Sequence, residues 1–352
     1  MFHAFDNERL PIALDATYSL GNSLSGVGVY SREILNGLAA AEPASQWEWF
    51  YRSQRYWRAR RLPKPSNVER RFLSDSWGRR SADLFHGLNQ RLPSRRFRRQ
   101  IATFHDLFVL SGEYSTPEFR ERFAIQAKQA ASRADLVIAV SAFTASQLEG
   151  LLSVPGSRIR VIHHGIIPRP VSRLSVAREK VVLCVGAIQT RKNQARLIRA
   201  FHAMPDDWTL VLAGSHGYGA EEVVQAAQDS PATSRIHLTG YLAEEQLRTW
   251  YGRASIFAFP SLDEGFGMPA LEAMAAGIPV IAGNRSALPE VCGAAAEFID
   301  PSSENEISAA LIRLAEDQDR RNELVALGIE RAKHFRWEDA VASTLAVYRE
   351  LT

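Results

Sequence analysis

The sequence predicts an α/β protein built from two doubly wound, Rossmann-like domains, and three observations support this prediction. Strand-like apolar runs alternate with helix-like segments along almost the whole chain, as in parallel α/β folds. The alternation stops at a polar, proline-containing stretch, residues 168–179, and then starts again. The chain has 352 residues, about twice the length of an ordinary domain. We therefore expect domains over residues 1–170 and 171–335, followed by a terminal segment over 336–352.

Each element is predicted from its apolar spacing. In the first half, strands are predicted at 11–17, 47–52, 84–87, 100–106, 135–140 and 158–165, and helices at 27–41, 117–132 and 142–152. In the second half, strands are predicted at 180–187, 208–214, 235–240, 255–260 and 278–283, and helices at 193–203, 220–229, 243–253, 268–276 and 303–334. The tail has helical spacing. Sheets of this kind bind ligands beyond the carboxyl ends of their strands, so a site in a cleft between the two domains is expected.

Composition restricts the class of protein. Hydrophobic residues make up 46% and charged residues 23% of the chain, which is typical of soluble globular proteins. The sequence has no apolar run long enough to cross a membrane, and its start does not resemble a signal peptide. Cys184 and Cys292 indicate neither a disulfide framework nor a metal site. We expect a cytoplasmic location.

The segment 51–100 is strongly basic. It contains fifteen Lys or Arg and three acidic residues, a net charge of +12. Aromatic residues lie among the arginines, and these are Tyr56, Trp57, Phe72, Trp77 and Phe97. This mixture suits an anionic surface, either lipid head groups or nucleic acid. A basic face that only meets solvent explains the same composition.

Three loops that follow predicted strands carry residues suited to an anionic ligand. Gly26 and Gly28 precede a predicted helix, where glycines allow close backbone approach to an anion. Arg191 and Lys192 stand where the next domain's first helix begins, an unfavourable place for cations unless a strong anion joins them. His105 ends a strand and is a candidate proton carrier or hydrogen-bond donor. A plain turn, a surface basic pair and a structural histidine are the alternatives.

The stretch "FPSLDEGFGMPALEAMAAGIPV", residues 259–280, places Glu264 on a glycine turn and Glu272 inside the helix that follows. The glycines leave backbone N–H groups unobstructed, and carboxylates accept hydrogen bonds from sugar hydroxyls. Favourable placement near a helix start explains one glutamate but not the glycines around both. Paired carboxylates first suggest a general acid and base, but the placement of one on a glycine turn and the other inside a helix also suits two groups that hold the two ends of one long ligand.

With these residues in place, the chain resembles the retaining glycosyltransferases of family 4, which have the GT-B fold. The family's pair of glutamates eight positions apart corresponds to "EGFGMPALE", and "SGVGVYSREIL", "VGAIQTRKN" and "LTGYLAEEQLRTWYGRASIFAFPS" resemble other family segments. The tail "FRWEDAVASTLAVYREL" resembles the family's C-terminal helix, which crosses back to the N-terminal domain. The resemblance covers nearly the whole chain. "VIHHG" departs from the family's usual Asn-Gly, so His163 and His164 receive no role.

The resemblance implies a role for each carboxylate. Glu272 is expected to bind the ribose hydroxyls of a nucleoside diphosphate sugar. Glu264 is expected to bind hydroxyls of the donor hexose, helped by the backbone of Gly265, Phe266 and Gly267. The nucleotide sugar is then a substrate, and the family implies no cofactor and no metal requirement.

The resemblance also places the remaining residues. Arg191 and Lys192 are expected to hold the diphosphate, and His105 to lie close to the donor sugar and the reacting oxygen. The glycine loop at 25–28 is expected to form the floor near the phosphate and acceptor, and Tyr241 to lie beside the base.

The implied reaction moves a hexose to a hydroxyl with its anomeric configuration retained. "TFHDL" together with "QTRKN" resembles mannosyltransferase-like members that build bacterial polysaccharides, so GDP-mannose is the first donor, with UDP-glucose or a deoxysugar donor as alternatives. A lipid-linked glycan acceptor would suit contact of residues 51–100 with the inner face of the cell membrane, whereas nucleic acid is a weaker candidate. A sugar-nucleotide epimerase, a phosphorylase and an inactive glycan-binding module on the same fold remain the competing interpretations.

Overall fold

The computed structural model describes residues 11–21, 24–74, 82–167 and 178–351. Most of the predicted linker, residues 168–177, lies outside the described residues, as do Asp75, Trp77, Arg79 and Arg80 of the basic segment.

The chain divides into two compact units. The first comprises Met1–Leu110, Glu118–Gly165 and Arg336–Thr352, and the second comprises Ser111–Pro117 and Ile166–Phe335. No helix in the described part of the chain is both long and apolar enough to cross a bilayer.

The first unit contains a parallel sheet of seven strands in the order β3-β2-β1-β4-β5-β6-β7. The strands are β1 (Ile12–Asp15), β2 (Trp47–Tyr51), β3 (Val68–Phe72), β4 (Leu84–Gly87), β5 (Arg99–Phe104), β6 (Leu136–Ala139) and β7 (Ile159–Val161). The helices of the first half of the chain are α1 (Gly26–Ala41), α2 (Ser53–Ala59), α3 (Phe108–Ser111), α4 (Pro117–Arg133) and α5 (Ala142–Leu152). The central strands are buried and apolar, as the sequence predicted.

In the first half of the chain the structure adds β3, α2 and α3, which were not predicted. α3 has only four residues and gives little periodic signal. β3 and α2 lie inside the basic segment, where charge hides the strand and helix patterns. β3 reads Val-Glu-Arg-Arg-Phe and is an edge strand, so its charged side chains reach solvent. Arg71 pairs with Glu48 on the neighbouring strand at 3.0 Å. Arg70 donates to the carbonyl oxygens of Ala59 and Leu62, so several arginines of the segment serve the fold.

The second unit contains a parallel sheet of six strands in the order β10-β9-β8-β11-β12-β13. The strands are β8 (Glu179–Val185), β9 (Thr209–Ala213), β10 (Ile236–Gly240), β11 (Ala254–Phe259), β12 (Val280–Gly283) and β13 (Ala296–Ile299). The helices are α6 (Gln194–Phe201), α7 (Ala220–Asp229), α8 (Glu244–Arg253), α9 (Met268–Ala275), α10 (Leu288–Cys292), α11 (Glu304–Glu316) and α12 (Gln318–Ala332), and α13 (Trp337–Leu351) follows.

Two local features of the second unit differ from the prediction. The single helix predicted at 303–334 is two helices, because Asp317 ends α11 and its carboxylate accepts a hydrogen bond from the Arg320 N–H at 2.8 Å, which caps α12. β13 and α10 were not predicted, since each has only four or five residues and gives little periodic signal.

The terminal helix α13 belongs to the first unit. Its buried face includes Ala340, Val341 and Leu345, and a Cβ built at Gly37 of α1 would lie 2.4 Å from Val341 Cγ2. The two helices therefore approach closely at Gly37. On the same helix, the Tyr348 hydroxyl lies 2.6 Å from His86 Nδ1 on β4.

Candidate functional site

The strand order of the second unit marks one place for a ligand. β8 and β11 are neighbours, but the chain continues from β8 to β9 on one side and from β11 to β12 on the other. The loops that follow these two strands, 186–193 and 260–267, therefore diverge from a topological switch point. Open parallel sheets bind ligands at such a point. Arg191, Lys192 and Glu264 all lie on these two loops.

The two loops meet through one carboxylate and two cations. Glu264 Oε1 lies 2.5 Å from Lys192 Nζ, and Glu264 Oε2 lies 3.1 Å from Arg191 Nη1. The three side chains are buried, with at most 9% of each exposed. The sequence predicted that Arg191 and Lys192 need an anion beside α6. In this structure Glu264 supplies that negative charge.

Electrostatics keep this carboxylate ionised. Burial opposes ionisation of Glu264, but the charges of Lys192 and Arg191 and the hydrogen bond from Lys192 outweigh it and lower its pKa to about 2. Burial also lowers the pKa of Lys192, with Glu264 opposing this change and Arg191 adding to it. The group is thus an ion pair with a second cation attached, held in a site of low polarity.

Backbone contacts fix the positions of the cations. Arg191 Nη1 also donates to the Asp263 carbonyl oxygen at 2.5 Å. Asn193 has a left-handed backbone conformation, with φ of 61°, and its Nδ2 donates to the carbonyl oxygens of Pro260 at 3.0 Å and Pro301 at 2.7 Å. The loop after β8 is therefore tied to the strand ends on the other side of the switch point.

The glycine turn has the shape that the sequence indicated. Gly267 precedes α9 with φ of 106°, a conformation that favours glycine, and a Cβ there would lie 2.7 Å from Leu288 Cδ2. Gly265 and Phe266 are buried, and the Phe266 ring packs edge-on against Phe335 at 5.7 Å. The Glu264 N–H donates to the Ser286 hydroxyl at 3.1 Å.

The other predicted donor residues lie on the same unit but outside this charged group. Glu272 is half-buried on α9, and its Oε2 accepts a hydrogen bond from the Tyr251 hydroxyl at 3.1 Å. Tyr241 follows β10, is 55% exposed and is separated from β8 by β9. The structure therefore brings Arg191, Lys192 and Glu264 into direct contact, with Glu272 on the helix that follows the turn.

Sequence reasoning missed a segment beside this group. Ser111–Pro117 belongs to the second unit although it comes from the first half of the chain. The Ser111 hydroxyl donates to Asp263 Oδ2 at 2.7 Å. Burial and Asp263 raise the pKa of the Tyr114 phenol, whereas Arg191 and Arg285 oppose this change. "SGEYSTP" has no periodic pattern and lies far from Asp263 in sequence, so no local signal identified it.

In the first unit, His105 forms hydrogen bonds through both ring nitrogens. Nε2 lies 2.9 Å from the Leu88 carbonyl oxygen, and Nδ1 lies 3.3 Å from His164 Nε2. A carbonyl oxygen only accepts, so Nε2 of His105 carries the proton, and Nδ1 accepts from His164. Burial lowers the pKa of His105 to about 4, with the bond to Leu88 opposing this change. His105 is therefore a neutral, buried imidazole, packed edge-on to Tyr30 at 4.7 Å.

The predicted glycine loop lies at the start of α1 rather than before it. Gly26 begins the helix, and the Gly28 N–H donates to the Ser25 hydroxyl at 3.3 Å. Gly26 is exposed, whereas Gly28 is buried, and a Cβ at Gly28 would lie 3.0 Å from the Tyr18 carbonyl oxygen. The N-terminal turn of α1 thus follows β1 at the carboxyl edge of its sheet.

Two family sequence models cover most of the chain. The model described as "Glycosyltransferase Family 4" matches residues 24–169, and the model described as "Glycosyl transferases group 1" matches residues 170–331. The chain belongs to the group 1 glycosyltransferases. This confirms the resemblance seen in the sequence, and the two parallel-sheet units are those of the GT-B fold.

Individual relatives agree with the family. The glycosyltransferase is 28% identical to the O-antigen chain mannosyltransferase B of Escherichia coli, over 96% of this chain and 99% of that protein. Sucrose-phosphate synthase from Thermosynechococcus elongatus has a similar structure, with a TM-score of 0.79, 24% identity and coverage of 97% of this chain and 99% of that one. WaaG, a glycosyltransferase involved in lipopolysaccharide biosynthesis, has a TM-score of 0.73 and 14% identity, with 95% and 99% covered. The two solved structures show the shared fold.

Proposed function

We propose that this glycosyltransferase moves a hexose from a nucleoside diphosphate sugar to a hydroxyl group of a growing bacterial surface glycan, with retention of the anomeric configuration. One observation carries the donor part of the proposal: Arg191 and Lys192 are buried together at the switch point between β8 and β11. Guanidinium and ammonium groups placed this way suit a diphosphate. The acceptor part is supported by the similarity to the E. coli relative, an O-antigen chain mannosyltransferase.

The difficult step is departure of the diphosphate, because its leaving oxygen gains negative charge as the bond to the sugar carbon breaks. In this proposal Arg191 and Lys192 hold that charge in a buried site, where fixed charges act strongly. The acceptor oxygen bonds to the same face of the sugar carbon, and its proton passes to the leaving phosphate oxygen. The two cations would neutralise the diphosphate, so we propose that no metal is required.

The remaining residues position the donor in this proposal. Glu264 accepts hydrogen bonds from hydroxyls of the hexose, and Glu272, now bonded to Tyr251, accepts them from the ribose. His105 lies near the sugar in this proposal as a neutral imidazole, because its pKa of about 4 keeps it uncharged at neutral pH. To bond to the sugar, it must give up its hydrogen bond to Leu88 or to His164. Tyr241 stays a candidate neighbour of the base.

A thermal-shift panel of GDP, UDP and dTDP and their hexose conjugates tests the donor, because a ligand that binds the folded state raises the melting temperature. We expect GDP-mannose to give the largest shift, with UDP-glucose and deoxysugar donors as the alternatives. Stabilisation by none of these ligands would contradict the proposal.

Incubation of the protein with a nucleotide sugar alone tests the reaction type. Slow release of free nucleotide supports a transferase, whereas a converted donor sugar would indicate an epimerase. The anomeric coupling constants of a transferred sugar test retention, and transfer in excess EDTA tests metal independence.

Substitution at the cations tests the site itself. Lys192→Ala is expected to weaken donor binding at least about tenfold, since it removes one charge-assisted contact with the diphosphate. Lys180→Ala is the matched control, because Lys180 is an exposed lysine of the same unit that pairs with Asp207. Calorimetry measures the affinity of each variant for the donor. If Lys192→Ala and Lys180→Ala both bind the donor as tightly as the wild type, Lys192 does not contact the diphosphate and the assignment is wrong.

Contact with an anionic membrane is a second part of the proposal, supported by the α2 surface. This surface comprises Trp57, Leu62 and Phe72, which are 61%, 43% and 48% exposed, and the exposed Arg60 and Arg61. The ring of Tyr56 connects the two exposed aromatic side chains, because its centre lies 5.5 Å from the centre of the Trp57 ring and 5.7 Å from that of the Phe72 ring. Exposed apolar groups beside arginines suit the boundary of an anionic bilayer.

Flotation with liposomes tests the α2 surface. The wild type is expected to float with liposomes that contain anionic lipid and to sediment with neutral ones, and Arg60→Gln with Arg61→Gln should reduce flotation several-fold. Arg122→Gln with Lys128→Gln is the charge-matched control, because both residues are exposed on α4. No lipid dependence, or equal loss in both double variants, would refute this docking surface. Tight, salt-sensitive binding to duplex DNA instead would favour nucleic acid.

A further inference from the structure

The carboxylate of Glu264 forms ion pairs with both cations, Arg191 and Lys192, to which the proposed diphosphate would bind. Its two oxygens lie 2.5 Å from Lys192 Nζ and 3.1 Å from Arg191 Nη1, and the three side chains are buried. A diphosphate that reached the same cations would bring further negative charge next to this carboxylate. Two anions in one buried site repel strongly. This repulsion favours a bound state in which the Glu264 carboxylate has given up at least one of its cations.

We infer that Glu264 is an internal counter-ion that the diphosphate displaces, and that this displacement makes the enzyme prefer a nucleoside diphosphate sugar to the bare nucleoside diphosphate. The inference rests on the proposed function, since it concerns the same site. A displaced carboxylate needs new hydrogen-bond donors, because a buried charge without partners is costly. The hydroxyls of a hexose are such donors. A bare diphosphate offers none, so it has to compete with Glu264 without this compensation.

The surroundings allow this exchange without collapse of the cation site. Arg191 keeps a second acceptor, the Asp263 carbonyl oxygen, at 2.5 Å. The Lys192 ammonium lies 4.6 Å from the centre of the Phe259 ring, a cation–π contact. Both cations therefore retain a stabilising partner when the carboxylate moves away.

Glu264 itself stands on a segment that can release its side chain. It lies in the turn between β11 and α9, and its backbone is held independently of its carboxylate. Its N–H donates to the Ser286 hydroxyl at 3.1 Å, and its carbonyl oxygen accepts from the Ala287 N–H at 3.2 Å. A rotation of the side chain alone can thus exchange cations for sugar hydroxyls.

Glu264→Gln tests the inference because glutamine keeps the shape but loses the charge. We expect the variant to bind GDP and inorganic pyrophosphate more tightly than the wild type, on the order of tenfold, the effect of one charge-assisted contact. Its affinity for GDP-mannose, or for whichever sugar nucleotide stabilises the wild type most, should stay equal or fall. The preference for sugar nucleotide over bare nucleotide therefore decreases, as measured by titration calorimetry.

Glu272→Gln is the matched control, because Glu272 is the second carboxylate of the motif and lies outside the charged group. It should weaken GDP and GDP-mannose by similar factors and leave their ratio unchanged. If Glu264→Gln does not fold, Glu264→Asp, which keeps the charge on a shorter side chain, should still lower the preference.

The outcomes separate the inference from the function on which it rests. If pyrophosphate and GDP bind Glu264→Gln no more tightly than the wild type, Glu264 does not compete with the diphosphate and the inference is wrong. If no nucleotide sugar binds the wild type, the proposed function fails, and pyrophosphate binding to the two proteins still decides whether Glu264 is a displaceable counter-ion.

Discussion

Asn193 fixes the position of the two cations through its backbone and its side chain. The residue follows Lys192 directly, has φ of 61° and is 7% exposed. Its amide donates to the carbonyl oxygens of Pro260 and Pro301, and the Pro301 oxygen also accepts a hydrogen bond from Arg196 Nη1 at 3.2 Å. Asparagine is among the few residues other than glycine that adopt the left-handed conformation at low cost. Both properties are needed at this position.

Asn193→Ala is expected to destabilise the second unit by about 2–4 kcal/mol, because it loses two buried hydrogen bonds and forces alanine into a left-handed conformation. Asn193→Gly loses the same bonds without the backbone strain, so it should be about 1 kcal/mol more stable than Asn193→Ala. Urea unfolding of the two variants measures the difference. An alanine variant as stable as the wild type would show that the loop holds its conformation by other contacts.

At this scale the sequence predicted the residue types of the site but not their pairing. Arg191 and Lys192 were recognised because two cations beside a helix start need an anion. The identity of that anion, Glu264, depends on how two loops 72 residues apart meet, which no local pattern contains. The roles of Ser111 and Asn193 depend on the same tertiary contacts.

The helix pair α1 and α13 shows how single elements are matched to each other. A Cβ at Gly37 would lie 2.4 Å from Val341 Cγ2, so the small residue on α1 makes room for the branched one on α13. The first residue of α13 packs closely in a similar way, because a Cβ built at Gly165, after β7, would lie 2.3 Å from the Trp337 backbone nitrogen. These contacts dock the terminal helix in the first unit.

Gly37→Ala is expected to destabilise the first unit by about 1–3 kcal/mol, the usual cost of overpacking a well-filled contact. Val341→Ala removes the side chain that the new methyl group meets. The double variant should therefore be less destabilised than the sum of the single variants, and a thermodynamic cycle from chemical unfolding measures this coupling. Additive effects would mean that α1 and α13 separate at Gly37 to accept the methyl group.

The sequence predicted most elements, and the misses have physical reasons. Long apolar strands such as β8 and the helix α4 have clear periods and were placed to within about two residues. β3 was missed because an edge strand tolerates charges that a central strand excludes. The sequence predicted one helix in place of α11 and α12, because its helical spacing of apolar residues continues through Asp317. The break at that residue depends on a side-chain cap, which the spacing does not reveal.

Stability of the whole first unit depends on buried histidines that must stay neutral. Burial lowers the pKa of His86 to about 3 and that of His105 to about 4, and it also lowers the pKa of His164. Two of these rings are stacked on each other, His105 and His164, with their centres 5.2 Å apart. Protonation of either ring would place a positive charge in a buried aromatic cluster. The folded unit therefore excludes protons that the unfolded chain accepts.

The sign of the resulting pH dependence follows from linkage. Unfolded histidines bind protons below about pH 6.5, whereas the folded unit binds none at His105 until about pH 4. The free energy of unfolding should therefore be highest above pH 6.5 and fall as the pH decreases from 6.5 towards 4, by about 1.4 kcal/mol per pH unit for each histidine. The Glu264 contribution begins to fade only below about pH 4.5.

Urea unfolding at pH 7.0 and pH 5.0 measures this dependence, with the midpoint expected at lower urea at pH 5.0. His86→Gln is the informative variant, because glutamine can still bond to Thr103 and Tyr348 but cannot be protonated. Its stability should change less between the two pH values than that of the wild type. Equal midpoints for the wild type at both pH values would mean that these histidines titrate normally in the folded protein.

Within the residues that the structure describes, the backbone passes between the two units four times, at residues 110–111, 117–118, 165–166 and 335–336. A chimera that exchanged the second unit between two relatives through a single junction at the linker would divide both units. It would keep Ser111–Pro117 from one parent and receive Ile166–Phe335 from the other, although both belong to one unit, and it would also exchange Arg336–Thr352 of the first unit. A functional hybrid therefore needs Ser111–Pro117 and Asp263 from the same parent. The junctions between parents have to follow the contacts within each unit rather than the order of the sequence.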